Sequence, residues 1–523
     1  MISKKIFDFI IMGAGSAGCT LALKLSKKNY KIALLDAGTI NRSWKVRMPA
    51  ALTYNLFNDI YNWDYYTIPQ KNLNNRKLHC PRGKMFGGSS SLNAMVYIEG
   101  HKEDYDRWEN EGAIGFNYEN IKKYFHDSDG PEVNIIPPNN FKQLFQIFGE
   151  SGEKIGYPYL RNSDITQNNY LGFGLFPMTI TNSGERASTY ENLLQQKNRK
   201  YLKNIEIFDR SHFNQLIFDT TSKIKGLSYI KDNQIHNVYA KNTILSLGAI
   251  GSPHALMLSG IGDHSKLKQF DIPTIINLKS VGENLQDHTE VYVQAKCDYV
   301  NTLFPYGTNK SPLTKIQAGI EWFLNGTGNC ASNHFNLGAF INSHSMVLHP
   351  DIQLHFIPGA INGQMDFLPY SAFQIQVGPL RPLSRGSIQL QSNNPIDPPL
   401  IDPNYYDYIE DFQVMASGIR QSLDIINQDP FQQINSKLLV PELETMNQHQ
   451  LFNYIRENTH SAYHVSCSCP NGKVVDSQCN VYGTENLKII DASVMPSMTS
   501  GNLNAPTIMI AKKIADDIIH SNL

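Results

Sequence analysis

Apolar residues fall into short runs broken by glycine turns, and the first run sets the frame for the rest of the chain. Ile6-Phe7-Asp8-Phe9-Ile10-Ile11-Met12 is almost continuously hydrophobic, as a strand covered on both faces requires. It leads directly into Gly13-Ala14-Gly15-Ser16-Ala17-Gly18 and a helix-like segment, Cys19 to Leu25. A second apolar strand, Lys31 to Leu35, ends at the acid Asp36. Far downstream, Thr243-Ile244-Leu245-Ser246-Leu247 reads as another buried strand and Ile508 to Ile519 as an apolar closing helix. From about 115 to 200 the chain is polar and loop-rich, with a surface turn predicted at Pro137 to Asn140 and a helix-like run opening at Ser188-Thr189. No repeat or low-complexity linker interrupts it, so the pattern predicts intimately packed domains of mixed α/β class.

Strand, glycine turn, helix, strand and terminal acid, in that order, form a dinucleotide-binding unit. Gly13 permits the tight turn, Gly15 lets the backbone approach a pyrophosphate, and Gly18 lets helix and strand pack closely. The free N–H groups of the helix terminus attract the phosphates, and Asp36 is placed to accept ribose hydroxyls. Met1 to Lys5 could pass for the basic start of a signal peptide, but Asp8 interrupts a very short apolar stretch that is better read as the strand. These residues alone leave FAD and NAD equally open.

Length and composition narrow the class. At 523 residues the chain exceeds what one core supports, which implies at least two domains. With 41% hydrophobic residues and no long uncharged apolar run, no transmembrane helix is expected. A formal net charge of −1 gives no global field to draw the protein to nucleic acid. The seven cysteines lack metal-ligand spacing, and Cys467-x-Cys469 is too tight for a zinc knuckle, so buried free thiols in a reducing compartment are expected. No metal is called for. The default location is the cytoplasm.

A second glycine-rich segment, Arg82-Gly83-Lys84-Met85-Phe86-Gly87-Gly88-Ser89-Ser90-Ser91-Leu92-Asn93-Ala94, resembles the first signature of the glucose-methanol-choline (GMC) flavoprotein oxidoreductases. Further blocks follow in the family's order: Gly248 to Gly262, Val281-Gly282-Glu283-Asn284-Leu285-Gln286-Asp287-His288, Arg385-Gly386-Ser387-Ile388 and Pro403-Asn404-Tyr405. Glu321 to Gly328 and Ala331 to Phe340 are similar to the choline dehydrogenase branch, and aryl-alcohol oxidase is a second point of resemblance.

The resemblance implies a glucose-oxidase-like fold: a Rossmann-like FAD-binding domain plus a sheet-and-helix substrate domain. It implies an FAD-binding region over residues 5–300, with part of the substrate cap at about 115–200. A substrate domain at 301–455 and a segment at 456–523 returning to the FAD domain complete the division. The pyrophosphate is expected at Gly13, Gly15, Ser16 and Gly18. Asp36, a departure from the family's usual Glu, is expected at the ribose. The isoalloxazine is expected against Arg82, Gly87, Gly88, Ser89, Asn93 and Ala94, with Asp491, Ala492, Asn504, Pro506 and Thr507 forming the opposite wall. Members that attach FAD covalently carry a His where this chain has Leu92, so non-covalent FAD is expected.

In Ser461-Ala462-Tyr463-His464 the resemblance places the catalytic His after an aromatic residue, and its partner position falls on Asn502. An imidazole titrates near working pH and suits proton removal from an alcohol, whereas Asn502 can only orient the oxygen and stabilise developing charge. The implied reaction is oxidation of a primary alcohol to an aldehyde, with hydride to flavin N5 and dioxygen or a quinone-like compound as final acceptor. Because Asn336 stands uncharged near the position where choline-handling relatives were expected to carry Glu, a neutral alcohol is expected, an aryl alcohol among the candidates. His334 is expected to pack structurally, and so is Cys467, which replaces a Gly of the relatives. A homodimer is the candidate assembly. Two alternatives remain: an FAD-retaining enzyme of hydroxynitrile lyase type, and a structural or packaging protein of a virion, as in giant-virus members of the family.

Overall fold

The computed structural model describes residues 6–138, 141–168, 170–304, 306, 312–362 and 366–521. Met1 to Lys5, and Asn139 and Asn140 of the expected surface turn, lie outside the described residues. In chain order the principal elements begin with β1 (Ile6–Met12), α1 (Ser16–Ser26) and β2 (Ile32–Leu35), then α2 (Lys142–Lys154), β3 (Tyr159–Asp164) and β4 (Gly172–Leu175). Next come β5 (Ile205–Phe208), β6 (His212–Phe218), β7 (Ile224–Lys231), β8 (Gln234–Leu245) and α3 (Gly248–Leu258). The remainder are β9 (Thr289–Lys296), β10 (Leu337–Ile341), β11 (Ile352–Ile357), β12 (Ala372–Pro379), α4 (Ile409–Ile426), β13 (Leu487–Ile489) and α5 (Asn504–His520).

The first sheet runs β6-β7-β8-β1-β2-β5, with β13 beside β8. Its centre is parallel, β8 to β1 to β2 to β5, and β13 is also parallel to β8. Parallel strands need coverage on both faces, which explains why β1, β2 and the end of β8 are apolar on successive residues rather than on alternate ones. The helices α1 and α5 pack against each other in the same core, so the two ends of the chain meet there. The expected strand at Thr243 to Leu247 is met by the end of β8 as far as Leu245, with Ser246 and Leu247 beyond it, and the expected closing helix lies within α5.

The second sheet runs from residues 437–438 through β9, β12, β11, β10 and β4 to β3. It is antiparallel except for the β3–β4 pair. Strands β10, β11 and β12 are buried along their whole length, with α2 and α4 supplying a second core that contains Phe148, Phe356 and Phe431. Although β9 falls within the expected FAD-binding range 5–300, its register places it in this second sheet: Val291 pairs with Val377 and Val293 with Ile375 of β12. At its start, Thr289 pairs with Ser461. That pairing brings the Asp287-His288 turn and the Tyr463-His464 segment together where the two cores meet.

Candidate active site

A single cleft of about 340 Å³ joins the two halves, reaching from Gly13, Gly15 and Ser16 at one end to His464 and Asn502 at the other. The dinucleotide end is built by close backbone approach. A Cβ on Gly18 would lie 1.8 Å from the Gly13 carbonyl oxygen, and one on Gly88, which has φ +52°, would lie 2.7 Å from Gly15 Cα. The two glycine turns therefore touch, and the Gly87 N–H donates to the Ala14 carbonyl at 2.7 Å. The α1 terminus has no side-chain cap, so its amides are free for an anion, and a Cβ on Gly15 would meet nothing nearer than 3.9 Å.

Asp36 is held by the amides of Ala14 (2.8 Å) and Gly38 (2.7 Å). Burial pushes its carboxyl up to about 6, against the pull of those two donors. The Ser16 hydroxyl donates to Asn504 Oδ1 at 2.8 Å, fastening the first turn to the uncapped start of α5. Open backbone at Gly15, free amides at two helix starts and an acid at the end of β2 together fit a flavin dinucleotide.

At the other end, His464 Nε2 lies 3.2 Å from Asn502 Nδ2, and His464 Nδ1 lies 3.0 Å from His288 Nδ1. Asn502 Oδ1 accepts from Gln353 Nε2 at 3.4 Å, with Nδ2 turned to His464. The His464 main chain is held by Asp287, whose carboxylate accepts the His464 N–H (2.7 Å) and the hydroxyls of Ser461 and Tyr405 (2.5 Å each). Arg82 reaches over from the second glycine segment to donate to the Tyr463 carbonyl. Burial, then His288, His355 and Arg82, hold the His464 imidazole well below its usual range, so the ring is neutral.

Fifteen of the expected residues line the cleft: Gly13, Gly15, Ser16, Asp36, Arg82, Gly88, Ser89, Asn93, Ala94, His464, Asp491, Ala492, Asn502, Asn504 and Thr507. Gly18, Gly87 and Pro506 lie behind it. Gly18 acts through helix packing, and a Cβ on Gly87 would meet Ser91 Oγ at 2.1 Å. Asp491 faces the cleft but spends its carboxylate on the Ser252 hydroxyl and the amides of Gly248 and Ser493. Leu92 also lines the cleft. His334 is buried against Phe141 and Cys467 is buried beside Ser466, both outside the cleft, in line with packing roles.

The expectation of a neutral substrate needs correction at its premise. Asn336 does not line the cleft; its amide donates to the Ile136 carbonyl and accepts from Ser332. Besides Asp36 at the dinucleotide end and Asp491, the acid that lines this cleft is Glu290. In β9, alternation puts Glu290 and Tyr292 on one face, both lining the cleft, while Val291 and Val293 enter the core. Tyr463 and Phe335 line the same cleft.

Burial, then the nearby Asp287, push Glu290 up to about 8. His355 Nδ1 lies 3.7 Å away, and burial brings that ring down to about 4, so burial opposes charge on both partners of the pair. The basic side chain within ion-pair distance of Glu290 is His355. Sequence reasoning also passed over Arg186, a buried guanidinium that donates to the carbonyls of Val46 and Asn93 and to Asn93 Oδ1, holding the second glycine loop from behind. The signal for Glu290 was available as an acid two positions beyond His288, alternating with Val291 and Val293; Arg186 left none.

Comparison with known proteins places this geometry in a family. Residues 7–290 match the N-terminal and residues 382–511 the C-terminal profile described as GMC oxidoreductase. The chain is 40% identical over 547 residues to mitochondrial choline dehydrogenase of Mus musculus, covering 99% of this chain and 90% of the relative. It is 37% identical to oxygen-dependent choline dehydrogenase of Vibrio vulnificus, covering 98% and 94%. Among solved structures, pyridoxine 4-oxidase from Mesorbium loti superimposes with a TM-score of 0.85 at 24% identity, covering 98% of this chain and 99% of that one. A fungal aryl-alcohol oxidase superimposes with a TM-score of 0.80 at 18% identity, covering 99% of each.

Proposed function

Because this chain belongs to the GMC oxidoreductase family and is an FAD-dependent alcohol oxidoreductase, we propose that it oxidises a primary alcohol carrying a cationic group, with choline the leading substrate. The observation that carries the reading is Glu290, a carboxyl whose charge burial opposes, in a cleft also lined by the rings of Tyr292, Tyr463 and Phe335. A quaternary ammonium satisfies such a group by charge and by contact with aromatic faces. The names of the relatives, choline dehydrogenase at 37–40% identity over nearly the whole chain, support the same choice.

FAD, when bound, supplies the hydride acceptor. Gly13, Gly15, Ser16 and Asp36 would hold its dinucleotide part, and Arg82, Gly88 to Asn93 and Asn504 to Thr507 its ring. With Leu92 in the facing loop there is no imidazole there to bond to it, so the cofactor is held without a covalent link. The alcohol's hydroxyl binds against both His464 Nε2 and Asn502 Nδ2, replacing the 3.2 Å contact between them. It donates its hydrogen to Nε2 and accepts one from Nδ2–H. His464 then removes the proton, and Asn502 stabilises the charge that develops on oxygen.

The test is anaerobic mixing of the holoenzyme with choline, and with an uncharged alcohol of similar size, while flavin absorbance is followed. Bleaching by choline at much lower concentration is expected; equal response to both would defeat the cationic substrate. Acid precipitation should leave all the flavin in the supernatant.

A further inference from the structure

We infer that His288 is the positioning residue that sets the tautomer of His464, so that the Nε2 lone pair faces the cleft. This rests on the reading of His464 as the base and adds what makes it one. His288 Nε2 lies 2.8 Å from the Leu380 carbonyl. A carbonyl only accepts, so Nε2 of His288 carries a hydrogen. Burial brings His288 down to about 4, hence the ring is neutral and its Nδ1 is a lone pair. The 3.0 Å contact between the two Nδ1 atoms is then a hydrogen bond only if His464 donates. His464 therefore holds its proton on Nδ1 and leaves Nε2 bare.

The other side of the ring agrees. Asn502 Oδ1 accepts from Gln353, and its Nδ2–H points at His464 Nε2, where only a lone pair can receive it. Direction thus passes from the Leu380 carbonyl through two imidazoles to the reacting atom. The rings stand at 89° to each other, with centroids 5.2 Å apart, so the contact is edge-on and not a stack. Asp287, the preceding residue, holds the backbone of His464 while His288 holds its ring. Protonating His288 would reverse the bond: its Nδ1 would donate, His464 Nδ1 would accept, and the His464 proton would move to Nε2, where it blocks the base.

Groups facing His464 besides His288 are His355, Arg82, Asn502 and the Asp287 carboxylate on its main chain, so a pH profile alone would not isolate His288. The experiment compares holoenzyme with His288→Phe, His288→Asn and His464→Ala, following anaerobic flavin reduction by choline and the imidazole ¹⁵N shifts of ¹⁵N-histidine-labelled protein. Phe offers no acceptor, so the limiting reduction rate should fall on the order of 100-fold or more with little change in substrate dissociation constant. Asn places an oxygen near the lost Nδ1 and should recover most of the rate. In the native and Asn proteins His464 should show protonated Nδ1 and bare Nε2; in the Phe variant the Nε2–H form should appear.

Near-native reduction by His288→Phe, or a native ¹⁵N pattern with Nε2 protonated, would overturn the inference, and the latter holds even if the Phe variant does not fold. If instead His464→Ala still reduces flavin at the native rate, the base assignment itself has failed, whatever His288 does.

Discussion

Glu290 is the residue whose ionisation should report on what enters the cleft. Free, its carboxyl is pushed up to about 8 by burial and by Asp287; beside a bound cation the charged form is favoured and the value must fall. A group that gives up its proton on binding makes affinity rise with pH until its free-state value is passed, so choline binding should strengthen from about pH 6 towards pH 8. Glu290→Gln removes the charge while keeping the shape. It should raise KM for choline by roughly 30-fold or more, leave kcat within a few-fold, and flatten the pH dependence of binding. An unchanged KM would show that Glu290 does not contact the substrate. This residue was within reach of the sequence, since it stands two positions beyond His288 at the end of the block Val281 to His288. What hid it was register: only the pairing of β9 with β12 reveals which face of the strand meets the cleft. Asn336 misled for the converse reason, because its place in the chain said nothing of where its amide would be spent.

The two glycine turns behave as one element, although Gly15 and Gly88 are 73 positions apart in the chain. Gly88 at φ +52° has no room for a Cβ against Gly15 Cα, and the Gly87 amide bonds the Ala14 carbonyl between the first two glycines. Gly88→Ala should therefore push the second turn off the first, cost about 1–3 kcal/mol, and lower the flavin content of the purified protein, read from the ratio of flavin to protein absorbance. Full flavin content with unchanged thermal stability would mean that the turns are independent. This element was the most legible part of the chain because its chemistry is local: glycine spacing, an apolar strand before, a helix after and an acid beyond. The contact between the turns was not, and neither was Arg186, whose buried guanidinium ties Val46 to Asn93. Each depends on segments far apart in sequence, where spacing carries no information about distance.

Across the whole molecule, the catalytic histidine sits where two cores meet, and that junction couples chemistry to stability. The chain crosses between the sheets several times, with β1, β2, β5 to β8 and β13 in one and β3, β4 and β9 to β12 in the other. Neither core is built from a continuous stretch that could close alone. Burial brings His254, in α3 beside the first sheet, down to about 4, and it does the same to His288 and His355 at the junction and to His334 and His460 beside the second sheet. For each, the unfolded chain takes up a proton near pH 6.5 while the folded protein resists until about pH 4. Their contribution is therefore complete above pH 6.5 and is lost as pH falls through that window, by up to about 1.4 kcal/mol per pH unit for each proton. Glu290 and Asp36 act in the opposite sense, their contributions fading as pH rises towards about 8 and about 6, but they are two groups against these five. The melting temperature of the holoenzyme, followed by calorimetry from pH 8 to pH 4, should hold near neutrality and fall steeply below pH 6.5. Because the titrating groups span both cores and their junction, flavin release and loss of secondary structure should move together in one transition. Flavin leaving well before the secondary structure melts would show that the junction opens by itself, and that the geometry around His464 is less tightly tied to the fold than its hydrogen bonds imply.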